Sequence, residues 1–180
     1  MRKPPKIHAT RTVARSRIFH IQALDLEFSN GTQVTFERMK GSGRGAVIVA
    51  PITADGEVLL IREYAAGTEQ YELGLPKGLV DPGETLLEAA NREIQEEAGV
   101  GAGQLEHIHT VSLAPGYLDH RTHVILATDL YPSRLPGDEP EELEVVPWPL
   151  SDLEGLLARD DFSEARAMAT LFLIREKLQR

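Results

Sequence analysis

The hydrophobic and polar positions of this chain fall into short β-type blocks separated by turn residues, with helical spacing in the later stretches. "TVARSRIFHIQALDLEFS" and "QVTFERM" flank Asn30-Gly31, a dipeptide that predicts a type I′ hairpin because both central residues of that turn take positive φ. Residues 1–10 read as a flexible lead and "KGSGRG" (40–45) as a linker, which sets off residues 1–44 as a small antiparallel β subdomain. "AVIVAPIT" (46–53), the turn "ADG" and "EVLLIREY" (57–64) predict a second hairpin at the start of the main domain, 45–180. "YELGLPKG" reads as a strand entering a loop, and "LEHIHTVSLA", "HVILATDL" and "EVVPWP" as further strands. "PSRLPGDEPEEL" (132–143) reads as an exposed acidic loop. Helices are expected at 151–159, capped by Ser151, and at 163–179, where Phe172 and Leu173 read as core. Strands interleaved with helices predict an α/β (α+β) layered domain.

The sharpest periodic signal is "ETLLEAANREIQEEAGV". Thr85 and Glu88 form a capping box, and Gly99 and Gly101 stop the helix. At about 100° per residue, Leu87, Ala90, Ile94 and Ala98 share a stripe expected to face the core. Glu93, Glu96 and Glu97 fall on the adjacent stripe, beside Arg92. Carboxylates roughly 5 Å apart repel by about 3 kcal/mol at an effective dielectric near 20. A solvated acidic face would intersperse lysines, and none occurs between Asp81 and Val100. Oxygen ligands at i, i+3 and i+4 suit a hard dication, Mg²⁺ or Mn²⁺.

Composition narrows the classes. An apolar content of 42% and a charged content of 26% over 180 residues are those of an ordinary globular protein. The net charge of −9 argues against nucleic acid and anionic membranes as partners. The chain has no cysteine, which removes disulfides, thiolate metal sites and cysteine nucleophiles. The basic start leads into no apolar segment, and runs such as "AVIVAPI" are too short to span a bilayer, so a cytoplasmic protein is expected.

Gly78, Glu84, Arg92, Glu93, Ile94, Glu96, Glu97, Gly99 and Val100 match the Nudix box, G-x5-E-x7-R-E-U-x-E-E-x-G-U, at every defined position. The chain is therefore similar to the Nudix hydrolases. The stretches "TVARSRIF", "LIREYAAGTEQYELG", "GLVDPGE", "EAANRE", "GDEPE" and "DFSEAR" resemble the ADP-compounds hydrolases within the ADP-ribose pyrophosphatase group. The resemblance implies an α/β/α sandwich with a mixed sheet, and cleavage of ADP-ribose, NADH and diadenosine oligophosphates, usually with release of AMP. It implies Glu93, Glu96 and Glu97 as metal ligands, with the Lys77 carbonyl completing the shell, and Arg92 paired with Glu84. It also implies a homodimer in which the N-terminal subdomain helps build the partner's adenosine site.

Several assignments stay open at this point. Glu139 and Glu141 are rival candidates for the general base, with Asp119 behind them. Pro115, sixteen positions after Gly99, and Tyr117 are candidate substrate contacts, as is Glu72. Many relatives read R-Q-Y-R where this chain has "REYA", so Ala65 replaces an arginine; Arg62 remains a candidate phosphate contact, against simple pairing with Glu63 or Glu72. His107, His109, His120, His123 and Trp148 carry weaker signals. A catalytically silent Nudix domain that binds ADP-ribose or NAD as a sensor is the alternative, and the intact acidic set argues against it. A Nudix isomerase would be expected to use the cysteine that this chain lacks.

Overall fold

The computed structural model describes residues 2–179, which divide into two compact units. One takes in the N-terminal residues as far as Gly45 together with Ser112–Arg121; the other takes in Ala46–Val111 and the residues from Thr122 on. The expected subdomain, 1–44, therefore lacked a segment that lies far along the chain.

In the first unit, β1 (Lys6–Arg15), β2 (His20–Glu27) and β3 (Gln33–Lys40) form an antiparallel meander, and the two-residue β9 (Leu118–Asp119) pairs parallel to β3. The flexible lead expected at residues 1–10 gives way to β1, an edge strand exposed along its whole length. Its pairing with β2 shifts register between Ile7 and Ala9 and again between Thr12 and Ala14. Such bulges blunt an open edge and scramble the alternation by which a strand is read. The Asn30-Gly31 turn is not type I′. Gly31 alone takes positive φ there, its amide donates to Phe28 O and the Phe28 amide to Thr32 O, the pattern of a type I turn followed by a left-handed glycine.

In the second unit β4 (Ala46–Pro51) is buried on both faces. It runs parallel to β10 (Arg121–Pro132) and antiparallel to β7 (Lys77–Leu79), and β8 (Val100–Ser112) completes the sheet in the order β7-β4-β10-β8. A second sheet, β11-β5-β6, joins Glu144–Pro149, Glu57–Ala65 and Gln70–Gly74. The expected hairpin 46–64 thus parts into two sheets, with a single bridge, Ile52 to Val58, spanning its turn. The alternation along β4 and β10 sorts the core. Val47, Val49, Ile125 and Ala127 pack with Ala89, Ala90 and Ile94 of α1 (Leu86–Glu97), while Ile48, Ala50, Val124 and Leu126 pack with residues of α2 (Leu153–Leu157) and α3 (Ala165–Leu178). The result is an α/β/α sandwich around a mixed sheet.

Three helix details depart from expectation. Leu87 is 38% exposed, because the buried stripe of α1 is centred nearer Ala90 and takes in Glu93 and Glu97. Asp152, not Ser151, caps α2 by accepting from the Gly155 amide. Phe172 is 39% exposed and carries the Arg175 guanidinium over its ring, so it is not core; Leu173 is half-buried against the core.

Candidate active site

The helix that carries the acids starts where its cap dictates: the Thr85 hydroxyl accepts from the Glu88 amide at 3.3 Å, and Glu88 accepts from the Thr85 amide at 2.8 Å. It stops at Gly99, whose φ is 69°. Gly101 has no positive φ; its α-carbon lies under the Tyr131 ring, so its glycine serves packing.

Each residue of β7 answers one group on α1. The Lys77 amide donates to Glu97 Oε2 at 2.9 Å. A side chain at Gly78 would overlap the Glu93 carboxylate. The Leu79 carbonyl accepts from Arg92 Nη2 at 3.0 Å. Arg92 also forks onto Glu84, with Nε to Oε1 at 2.8 Å and Nη2 to Oε2 at 3.0 Å, which ties the helix to its loop. Its Nη1 reaches Glu93 Oε1 at 2.7 Å and Glu96 Oε2 at 2.9 Å. The pairing of Arg92 with Glu84 holds the latter's carboxyl below the usual range.

Glu93 and Glu97 are 7% and 3% exposed. Burial pushes Glu97 up to about 8, against the opposing pull of the Lys77 ammonium and amide. Burial also raises Glu93, more than Arg92 lowers it. Among the described residues no three His, Cys, Asp or Glu side chains are grouped closely enough to hold a metal ion; Glu93 and Glu96 are both bonded to Arg92 Nη1. The donor chemistry nevertheless fits a hard dication. Two buried carboxylates lie beside a third, and the bonds to Arg92 and Lys77 each take one oxygen from a carboxylate.

Around this centre the candidates separate. The backbone at Gly137 abuts the Glu139 carboxylate, with Glu96 Cβ 3.8 Å from where a Gly137 side chain would begin, and the Glu139 charge contributes to raising Glu93. Glu141 instead accepts from the Tyr71 hydroxyl at 2.6 Å. Asp119 lies in the first unit, ion-paired with Lys40. Arg62 pairs with neither Glu63 nor Glu72: its guanidinium is held by Glu144 at 2.7 Å and Asp161 at 2.6 Å. Glu72 accepts from the Ser163 hydroxyl at 3.1 Å and lines a cavity of about 410 Å³ with Glu63, Tyr64, Lys77 and Arg166. Pro115 and Tyr117 line a separate cavity of about 380 Å³ within the first unit, beside Arg38 and Arg121. His107, Thr110 and His123 hydrogen-bond in a row, and the Trp148 indole donates to Asp152 O under Arg159.

Sequence reasoning missed Glu63, which holds the Lys77 ammonium at 2.7 Å, and Tyr71. No local signal marks either, since both partners are distant in sequence. Gln95 was also missed; it anchors the acidic loop through Ser133 and Leu135.

The capped helix, the Gly78 cradle and the Arg92 fork agree with what comparison with known proteins shows: the chain belongs to the Nudix hydrolases. A NUDIX domain matches residues 42–171, and a NudE-type Nudix hydrolase N-terminal domain matches residues 5–38. The ADP compounds hydrolase NudE of Escherichia coli K12 is 51% identical over 97% of this chain and 94% of its own length. An ADP-ribose pyrophosphatase of Bacillus subtilis 168 is 30% identical over 94% of this chain and 95% of its own. A crystal structure of an ADP compounds hydrolase superposes with a TM-score of 0.94 at 50% identity, covering 99% of this chain and 96% of that one. Nudix hydrolases use divalent metal ions. Among the described residues no helix is long and apolar enough to cross a membrane.

Proposed function

We propose that this enzyme hydrolyses the diphosphate linkage of ADP compounds, namely ADP-ribose, NADH and diadenosine oligophosphates, and releases AMP. The observation that carries the reading is the burial of the Glu93 and Glu97 carboxylates beside Glu96, an arrangement unfavourable without a dication. Glu93, Glu96, Glu97 and the Lys77 carbonyl would hold Mg²⁺ or Mn²⁺. When bound, such an ion neutralises charge on the diphosphate oxygens and acidifies a water for in-line attack. The water oxygen bonds to one phosphorus, the bridging P–O bond breaks, and the bridging oxygen leaves on the second phosphate. Arg92 and Glu84 hold the helix against its loop throughout. The cavity beside Lys77 is read as the place of the non-adenosine half, with Glu72 offering an acceptor to its hydroxyl groups.

Glu139 is read as the acceptor of the water proton. Its nearness to Glu96 and its effect on Glu93 support it over Glu141, which is engaged by Tyr71. Glu139→Gln is expected to lower kcat about a hundredfold or more, and Glu141→Gln to stay within a few-fold. Steady-state kinetics on both variants decides, and equal losses contradict the assignment.

The first unit supports a homodimer. Among the described residues Ala23, Leu24 and Leu26 are its buried apolar side chains, while Ile7, Val13 and Phe36 stand exposed on a sheet too small to be stable alone, with Ile18 and Phe19 exposed in the turn between β1 and β2. Sedimentation equilibrium is expected to return twice the chain mass; a monomer at micromolar concentration contradicts this. For the activity itself, purified protein with Mg²⁺ or Mn²⁺ is expected to convert ADP-ribose to AMP and ribose 5-phosphate. Tight binding of ADP-ribose with no product under either ion removes the hydrolase reading.

A further inference from the structure

The acidic loop that carries Glu139 is anchored at both ends. At its start the Ser133 amide donates to Gly99 O at 3.1 Å, the Ser133 hydroxyl to Gln95 Oε1 at 2.8 Å and the Leu135 amide to Gln95 O at 3.1 Å. At its end Leu143 is buried with Ile61 and Ala98. Residues 136–142 between these anchors form no strand or helix; they carry Asp138, Glu139, Glu141 and Glu142, and Glu139 lies near Glu96 and adds its charge to that of Glu93. Like charges push such a segment away. The pair between Arg134 and Glu142, at 3.7 Å, is too long to oppose this.

One contact on the span is short and charge-assisted: the Tyr71 hydroxyl donates to Glu141 Oε1 at 2.6 Å. Tyr71 is half-exposed, but its strand and its ring are both held. It lies on β6 directly across from Tyr64 of β5, and the two rings meet edge to face with centroids 5.5 Å apart. Tyr71 stands behind the cavity beside Lys77, its ring against Tyr64 of the cavity wall, and its hydroxyl is directed to the loop.

We propose that Tyr71 is a positioning residue, whose hydroxyl clasps Glu141 and thereby holds Glu139 beside the carboxylates of α1. The proposal rests on the reading of Glu139 as proton acceptor. Because the hydroxyl of Tyr71 is spent on the loop, losing the clasp slows turnover more than it weakens substrate binding. A displacement of about 1 Å in a reacting group costs on the order of a hundredfold in rate.

The test measures kcat and KM for Tyr71→Phe, Glu141→Ala and their double variant, with ADP-ribose and Mg²⁺, and repeats Tyr71→Phe with Glu139→Gln. Hydrogen exchange over residues 136–142 is followed in parallel. Each single variant is expected to lower kcat about ten- to a hundredfold with KM within about twofold. The double variant is expected to be no worse than the poorer single one. Glu141→Gln, which keeps an acceptor for the hydroxyl, retains most of the rate, and exchange over 136–142 speeds up in Tyr71→Phe. Added to Glu139→Gln, Tyr71→Phe is expected to cause no further loss. A wild-type kcat for Tyr71→Phe, additive losses in the double variant, or an undiminished effect in the Glu139→Gln background each overturn the clasp. A wild-type rate for Glu139→Gln overturns the proton-acceptor reading, and the clasp's catalytic role falls with it.

Discussion

Glu97→Gln raises the melting temperature of the protein in EDTA while lowering its kcat about a thousandfold; both results are expected of the same substitution. Glutamine has the shape of glutamate and still accepts from the Lys77 amide, so the packing around it is kept. It removes a charge that burial penalises. The folded-state pKa of Glu97 stands at about 8 against an ordinary 4.5. Folding therefore favours the protonated acid, and the carboxylate's cost to stability is absent below about pH 4.5, grows as pH rises and is complete above about pH 8. The gain from glutamine follows the same course: on the order of 1–3 kcal/mol near pH 8 and close to zero at pH 4. Loss of a ligand to a catalytic dication removes several kcal/mol of transition-state stabilisation, and about 4 kcal/mol corresponds to the thousandfold loss in rate. Thermal melts in EDTA from pH 4 to 8, alongside turnover, check both halves. A variant that is less stable than wild type at pH 8 contradicts the account.

Gly78→Ala is expected to lower kcat about a hundredfold. The backbone at Gly78 has ordinary φ, so the glycine is there for space and not for conformation. An added methyl would overlap the Glu93 carboxylate, and Glu93 is buried, so the carboxylate has to move. Arg92 holds one of its oxygens at 2.7 Å, and that geometry is disturbed as well. Overpacking of this kind costs about 1–3 kcal/mol in stability, whereas a displaced metal ligand costs on the order of a hundredfold in rate. Gly67→Ala is the control: nothing lies within 4 Å of its added carbon. The pair is read by kcat and by melting temperature. An unimpaired kcat in Gly78→Ala would mean that the position of Glu93 does not matter to the chemistry.

Local signals reached much of this molecule. The capping box at Thr85 and the glycine stop at Gly99 set α1 to within a residue, because each depends on chemistry a few positions apart. The apolar run of β4 reads as a strand because it is covered on both faces. What escaped was set by tertiary structure. The bulged edge strand β1 has no buried face to impose alternation. The 46–64 hairpin read correctly as a turn between strands, but strand partners are chosen globally, and β10 and β11 lie far along the chain. The helical wheel put Glu93 and Glu97 beside the buried stripe, since hydrophobicity ranks carboxylates as surface groups; β7 packs against them and brings them inside. Among the candidate residues, Arg92 and Glu84 were paired from a motif whose spacing encodes their contact. The acids that pair with Arg62, Glu144 and Asp161, are not near it in sequence, and the Tyr71 contact that sets Glu141 apart from Glu139 comes from another strand.

The central claim is that the inward-facing acids of α1 exist to bind a dication. Electron paramagnetic resonance of Mn²⁺ titrated into the purified protein tests it, with Glu97→Gln and the exposed-acid control Glu106→Gln measured beside wild type. Wild type and Glu106→Gln are expected to bind Mn²⁺ alike, with or without ADP-ribose, and Glu97→Gln to bind at least about tenfold more weakly, a difference of about 1.4 kcal/mol. Equal uptake by wild type and Glu97→Gln, or no uptake by wild type in either condition, would contradict it.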